Sequence, residues 1–186
     1  MEEAKELLDK PTAPPDLFKI AGKKCNVFTY PEIARFKKYS QLFKKKNSPF
    51  SMMDDGYAFD DNSCIILYLT GDRTGHWTCV TKNKYGINFL DSYGDVIDDQ
   101  LKYVDSSIIG QNKKYLLELL AKAKKPIYYN DLKLQKLNTN IATCGRYCAL
   151  YLKYNYMSVD DFMNTLLKKA REYDVSPDLL VCMLSV

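Results

Sequence analysis

The chain has one histidine and one tryptophan in 186 residues, and only eight glycines. A single imidazole excludes zinc sites built from several histidines. Six cysteines with no C-x-x-C pair fit neither a zinc ribbon nor the disulfide framework of a small secreted domain. Nowhere do about 18 apolar residues run together, as a spanning helix requires. The acidic start MEEAKELLDKPTAPPD contains no apolar run of signal-peptide type. Internal repeats are missing as well. These absences lead to the expectation of an intracellular, soluble protein whose thiols are reduced and mostly buried as small apolar groups.

A hydrophobic share of 46% and 15 tyrosines indicate an ordered globular chain, and the length suits one domain spanning residues 1–186. The net charge of +4 permits an acidic partner without demanding one. Residues 1–25, with PTAPPD at their centre, are expected to form a peripheral arm. PEIARFKKYSQLFKKK predicts a helix from Pro31 that buries Ile33, Phe36 and Leu42 or Phe43. SPFSMMDDGYAFDDN predicts an irregular surface segment bordering a binding cleft. SCIILYLT, HWTCVTK and GINFLDS read as three consecutive strands. QNKKYLLELLAKAKK reads as a helix ended by Pro126, followed by a strand in IYYNDLKLQ. A helix is expected to start at Cys144, and two more follow, capped by Ser158 with Asp161 and by Ser176 with Pro177. Grouped strands and grouped helices predict an α+β fold with a mixed central sheet flanked by helices.

A thiol needs a base to attack a carbonyl at neutral pH, and a third group commonly orients that base. Any Cys-His chemistry here must use His76. With Asn83 and Lys84 as a two-residue turn, His76 falls opposite Asp91, within about 5 Å between Cβ atoms. A turn longer by two residues instead sets His76 opposite Tyr93 and leaves Asp91 a diagonal neighbour on the same face; a one-residue bulge breaks the pairing. Asp91 with Ser92 could otherwise merely cap the turn into YGDVIDD. Strand alternation points Cys79 to the face opposite His76. Cys64 and Cys182 lie in apolar runs, Cys25 has no helix start beside it, and Cys148 lies one turn along from Cys144. Cys144 is therefore the candidate nucleophile. A helix N-terminus lowers a thiol pKa and offers N–H groups to an oxyanion. Gly145 is expected to leave room for a substrate backbone, and Gln135, Asn138 and Asn140 are candidate amide donors.

GHWTCV, FLDSYG and ATCGRYC together resemble the His-Trp, acid and Cys-Gly motifs of the adenovirus maturation protease and the related SUMO-processing cysteine proteases, over roughly residues 60–155. The resemblance implies that fold, with His76 as base, Asp91 as orienting acid, Cys144 as nucleophile and Trp77 as the cleft aromatic. It also implies an oxyanion hole from the Cys144 and Gly145 backbone with Gln135, or Asn138 as the alternative, because KLNTN alters the usual spacing. CGRYC is closest to the adenoviral type, which points to virophages and Maverick or Polinton elements. The expected activity is cleavage of viral capsid precursors, in the virion and host cytoplasm, by a monomer that requires no cofactor or metal and touches no membrane. An activating peptide or DNA is implied by the adenoviral relative, with Cys25 as a conceivable anchor. An isopeptidase acting on ubiquitin-like conjugates is the alternative enzyme. A nucleic-acid-binding module is the alternative from another class, suggested by Lys44, Lys45, Lys46, Lys113, Lys114, Lys122, Lys124 and Lys125.

Overall fold

Five strands, β1 (Lys24–Thr29), β2 (Phe59–Gly71), β3 (Thr74–Asn83), β4 (Gly86–Leu90) and β5 (Ile127–Tyr129), are hydrogen-bonded in sequence order in the computed structural model, which describes residues 1–72, 74–138 and 140–186. The β2–β3 and β3–β4 pairs are antiparallel, whereas β1 and β5 run parallel to their neighbours. The fold is thus α+β around a mixed five-stranded sheet. Seven helices among the described residues surround it: α1 (Glu2–Lys5), α2 (Pro14–Ala21), α3 (Tyr30–Ile33), α4 (Tyr115–Ala121), α5 (Cys144–Lys153), α6 (Val159–Glu172) and α7 (Pro177–Met183). None is long and apolar enough to cross a membrane.

The sheet is covered on both faces, which explains why its strands read as nearly unbroken apolar runs. Val27, Ile65, Leu67, Trp77, Cys79 and Leu90 pack with apolar residues of α2, α5, α6 and α7. The alternate residues Phe28, Cys64, Ile66, Tyr68, Val80, Ile87 and Phe89 pack with Leu42, Phe43, Ile97 and the leucines of α4. Ser158 and Ser176 cap α6 and α7 by accepting from the N–H groups of Asp161 and Leu179.

Several expectations are corrected. The helix predicted from Pro31 ends at Ile33 and is replaced by 3₁₀ turns at Tyr39–Leu42, Lys45–Asn47 and Pro49–Met52. Side chains take the backbone partners a longer helix would use: Gln41 accepts from the Lys37 and Lys38 N–H groups, and Asn26 donates to the Leu42 and Lys44 carbonyls. Ile33, Leu42 and Phe43 are nonetheless buried. KCNVFT forms β1, which the sequence reading leaves unassigned. The irregular segment after Ser48 lies against β1, where Ser48 bonds Val27 and Ser51 bonds the Cys25 carbonyl; it does not border the cleft described below. The strand expected in IYYNDLKLQ stops at Tyr129, because the Asn130 side chain takes over the next pairing by bonding both the N–H and C=O of Asp91.

The expected peripheral arm is also revised. Leu17 and Phe18 of α2 are buried in the core against α5, and the Leu8 carbonyl accepts from the Ala142 N–H at 2.7 Å. The N-terminal segment therefore braces the region before α5. Deleting residues 1–22 should abolish the cooperative unfolding transition measured by circular dichroism. Leu17→Ala in the full chain should cost about 2–5 kcal/mol in urea unfolding, and a truncated chain that melts like the intact one would restore the peripheral assignment.

Candidate active site

The start of β3, the residues after β4 and the N-terminus of α5 meet at one end of the sheet. The observed β3–β4 register pairs Asn83 with Gly86 and Cys79 with Leu90, so Lys84 and Tyr85 form the turn rather than Asn83 and Lys84. Asn83 enforces this choice: its Oδ1 accepts from the Tyr85 N–H and its Nδ2 donates to the Asn155 and Met157 carbonyls. Gly86, at φ +136°, lies so close to the Pro126 carbonyl that a Cβ there would come within 2.5 Å of the oxygen. Continued past Leu90, this register sets His76 level with Tyr93 and makes Asp91 the diagonal neighbour. The His76 ring stacks on Tyr93 with centroids 4.4 Å apart, and its Nε2 lies 2.8 Å from Asp91 Oδ1.

Asp91 is fully buried and held on every side. Its Oδ1 also accepts from the Tyr93 N–H, and its Oδ2 accepts from Gln100 Nε2 at 2.9 Å. Asn130 fixes its main chain. Sequence reasoning missed Gln100 and Asn130, since neither falls in a period or motif that places it beside Asp91.

Cys144 opens α5 and lines the same cleft as His76. With Nε2 engaged by Asp91, Nδ1 is the ring nitrogen that remains available to a thiol. Burial alone would raise the thiol pKa, but the His76 hydrogen bond and charge, with the Trp77 and Gly145 main-chain N–H groups, outweigh it and bring the thiol below its ordinary value. Burial likewise disfavours the imidazolium. The bonds to Asp91 and Cys144 and their negative charges prevail, raising His76 from 6.5 to about 10. The two shifts favour a thiolate–imidazolium pair over the neutral pair. The preceding loop is anchored from α7: Asp178 accepts from Thr143 Oγ1 at 2.6 Å, from the Tyr147 hydroxyl and from the Lys136 N–H.

Gly145 does not leave room for a substrate. A Cβ on it would come within 1.9 Å of Thr12 Oγ1 and 3.0 Å of Trp77 Cδ1, so the glycine admits the N-terminal segment instead. Trp77 Nε1 donates to the Thr12 carbonyl, and the indole and Thr12 together line the cleft. The other five cysteines are buried, including Cys25, whose thiol is pushed well up by burial; it is no exposed anchor.

Of the candidate amides, the structure brings Gln135 to the cleft beside Cys144. Its Oε1 accepts from Ser92 Oγ at 2.7 Å and its Nε2 donates to the Ile141 carbonyl at 3.2 Å, leaving the second N–H without a partner among the described residues. Asn138 is exposed and its Oδ1 accepts from the Asn140 N–H, a local turn outside the cleft lining. Thr139, at the centre of KLNTN, lies outside the described residues. None of the described lysines of the suggested nucleic-acid patch lines the cleft. Lys113 pairs with Glu118, Lys45 sits over the Phe59 ring and Lys125 over the Tyr39 ring; the Lys46 side chain lies outside the described set.

The cleft, with a volume of about 500 Å³, is lined by His76, Tyr93, Gln135 and Cys144, with Pro11, Thr12 and Trp77 forming further wall. No family model matches the chain. It is similar to a virophage protein. Over 175 residues it is 29% identical to uncharacterized protein V9 of Sputnik virophage, covering 92% of this chain and 91% of that one. The likeness supports a virophage origin and carries no information on activity.

Iodoacetamide should alkylate Cys144 with a rate that rises through a pKa below the ordinary thiol value. His76→Ala removes the principal group holding that pKa down, so the midpoint should move upward. Asp91→Ala lowers the His76 pKa and should shift the Cys144 midpoint in the same direction by less. Rates read by mass spectrometry across pH check this; a midpoint equal in all three proteins would break the proposed coupling.

Proposed function

We propose that the chain is a cysteine endopeptidase of the adenoviral and SUMO-protease type, and that it matures viral capsid precursors. The observation that carries this reading is the convergence of Cys144, His76 and Gln135 on one cleft at a helix N-terminus, with the buried Asp91 bonded to the His76 ring. The virophage likeness supports the choice of a capsid substrate only through the origin of the chain.

In this mechanism the Cys144 thiolate attacks the scissile carbonyl carbon, and the electron pair moves to the carbonyl oxygen. The Cys144 N–H and the free Gln135 N–H stabilise that oxyanion. His76, which holds the proton taken from the thiol, delivers it to the leaving amine as the C–N bond breaks. A water molecule, losing a proton to His76, then attacks the thioester; the C–S bond breaks, Cys144 leaves as the thiolate beside the protonated His76, and the acid product gives up its remaining proton to solvent. Asp91 acts through His76 by holding the ring and stabilising its positive form.

Cys144→Ala should eliminate cleavage of a co-expressed capsid protein, read by intact-mass spectrometry, while leaving the melting temperature nearly unchanged. Gln135→Ala should lower kcat about a hundredfold to a thousandfold, whereas Asn138→Ala should lie near the wild type. kcat/KM against pH should be bell-shaped, with an alkaline limb near 10 as His76 loses its proton. Cleavage that survives Cys144→Ala would refute the assignment. Loss of ubiquitin-like conjugates from a lysate, with the capsid protein intact, would transfer it to the isopeptidase alternative.

A further inference from the structure

Two charged groups that line the cleft, Asp95 and Lys133, have no role in the mechanism, and Lys133 is not among the charges that act most on Asp95. Asp95 lines the same cavity as Cys144 and His76, and it makes no ion pair among the described residues. Its hydrogen-bond partner is Gln100, whose Nε2 donates at 2.9 Å to Asp95 Oδ2 and at 2.9 Å to Asp91 Oδ2. A neutral amide thus fixes the carboxylate in place without neutralising it. Among the nearby charges, those of Asp91 and Asp99 oppose its ionisation, and they act more strongly than Lys102, which Asp99 holds at 3.2 Å, and His76, which favour it. Partial burial and then these two carboxylates raise the Asp95 pKa, the response of an anion that lacks a counter-ion. Tyr103, largely exposed, lines the cavity as well, adding an aromatic face that suits the stem or charge of a long cationic side chain.

Resting on the protease reading above, we propose that Asp95 is a specificity-determining residue that selects a lysine or arginine flanking the scissile bond of the peptide substrate. The fixed carboxylate supplies a charge-assisted hydrogen bond to the substrate cation, and that cation supplies the missing positive charge. An acidic residue at the same substrate position meets repulsion from Asp95, so discrimination comes from rejection as well as attraction.

The test uses the full chain and peptides prepared from a proteome by cleavage after acidic residues, which leaves lysines and arginines internal. Mass spectrometry identifies the sites cut by the wild type, Asp95→Asn and Asp95→Lys. A synthetic pair based on one cut site then compares lysine with its uncharged analogue norleucine. The wild type should show a basic residue enriched at one fixed position and favour the lysine peptide by about tenfold in kcat/KM, mainly through KM. That ratio should fall to near one in Asp95→Asn, and Asp95→Lys should favour glutamate at the same position. A purely positioning role, acting through Gln100 on Asp91, would lower kcat for all peptides alike and leave the ratio unchanged, which would overturn the proposal. Cleavage by the wild type with no basic preference would overturn it too, leaving the protease reading intact. No cleavage of any peptide by a protein whose Cys144 still alkylates would remove both.

Discussion

The contact on which the site depends is the 2.8 Å bond between His76 Nε2 and the buried Asp91 carboxylate. It orients the ring, leaves one nitrogen for Cys144, and supplies the negative charge that keeps a buried imidazole protonated. An isolated buried imidazolium would be driven to neutrality by desolvation. Here the carboxylate is itself satisfied by the Tyr93 N–H and Gln100, so the charge pair does not stand alone in a low-dielectric setting.

That contact is a product of hairpin register. Asn83 fixes the turn through bonds to its own hairpin and to the residues after α5, and Gly86 allows the backbone to approach Pro126. The same choice brings Tyr93 under the His76 ring. A slip of one residue would turn Asp91 to the other face of the sheet. The register at the turn and the chemistry at the far end of the strands are thus one constraint.

The Cys144 side of the cleft is assembled from elements distant in sequence. Asp178 near the C-terminus holds Thr143 and Lys136, Ser92 after β4 holds Gln135, and Thr12 near the N-terminus packs on Gly145 and receives the Trp77 indole N–H. Rigid support of this kind limits how far Cys144 and Gln135 can drift, which the proposed chemistry would need, because catalytic geometry tolerates shifts of less than about 1 Å.

The sequence by itself determined the α+β class, the strand alternation, the helix beginning at Cys144 and the serine caps, because these follow from local period and capping chemistry. It also placed Asp91 near His76, since residues sharing a strand face stay neighbours whether the turn holds two residues or four. Tertiary structure alone decided the rest. Gln135 rather than Asn138 reaches the cleft because Ser92 captures it across 43 positions, and the segment of residues 1–22 becomes a wall of the core because its apolar side meets α5. Gln100, Asn130 and Asp178 act through single long-range hydrogen bonds, which leave no periodic trace in the chain. Gly145 is the clearest divide: its presence beside Cys144 is plain in the sequence, but its reason, the Thr12 hydroxyl occupying the space of a side chain, exists only once the chain has folded.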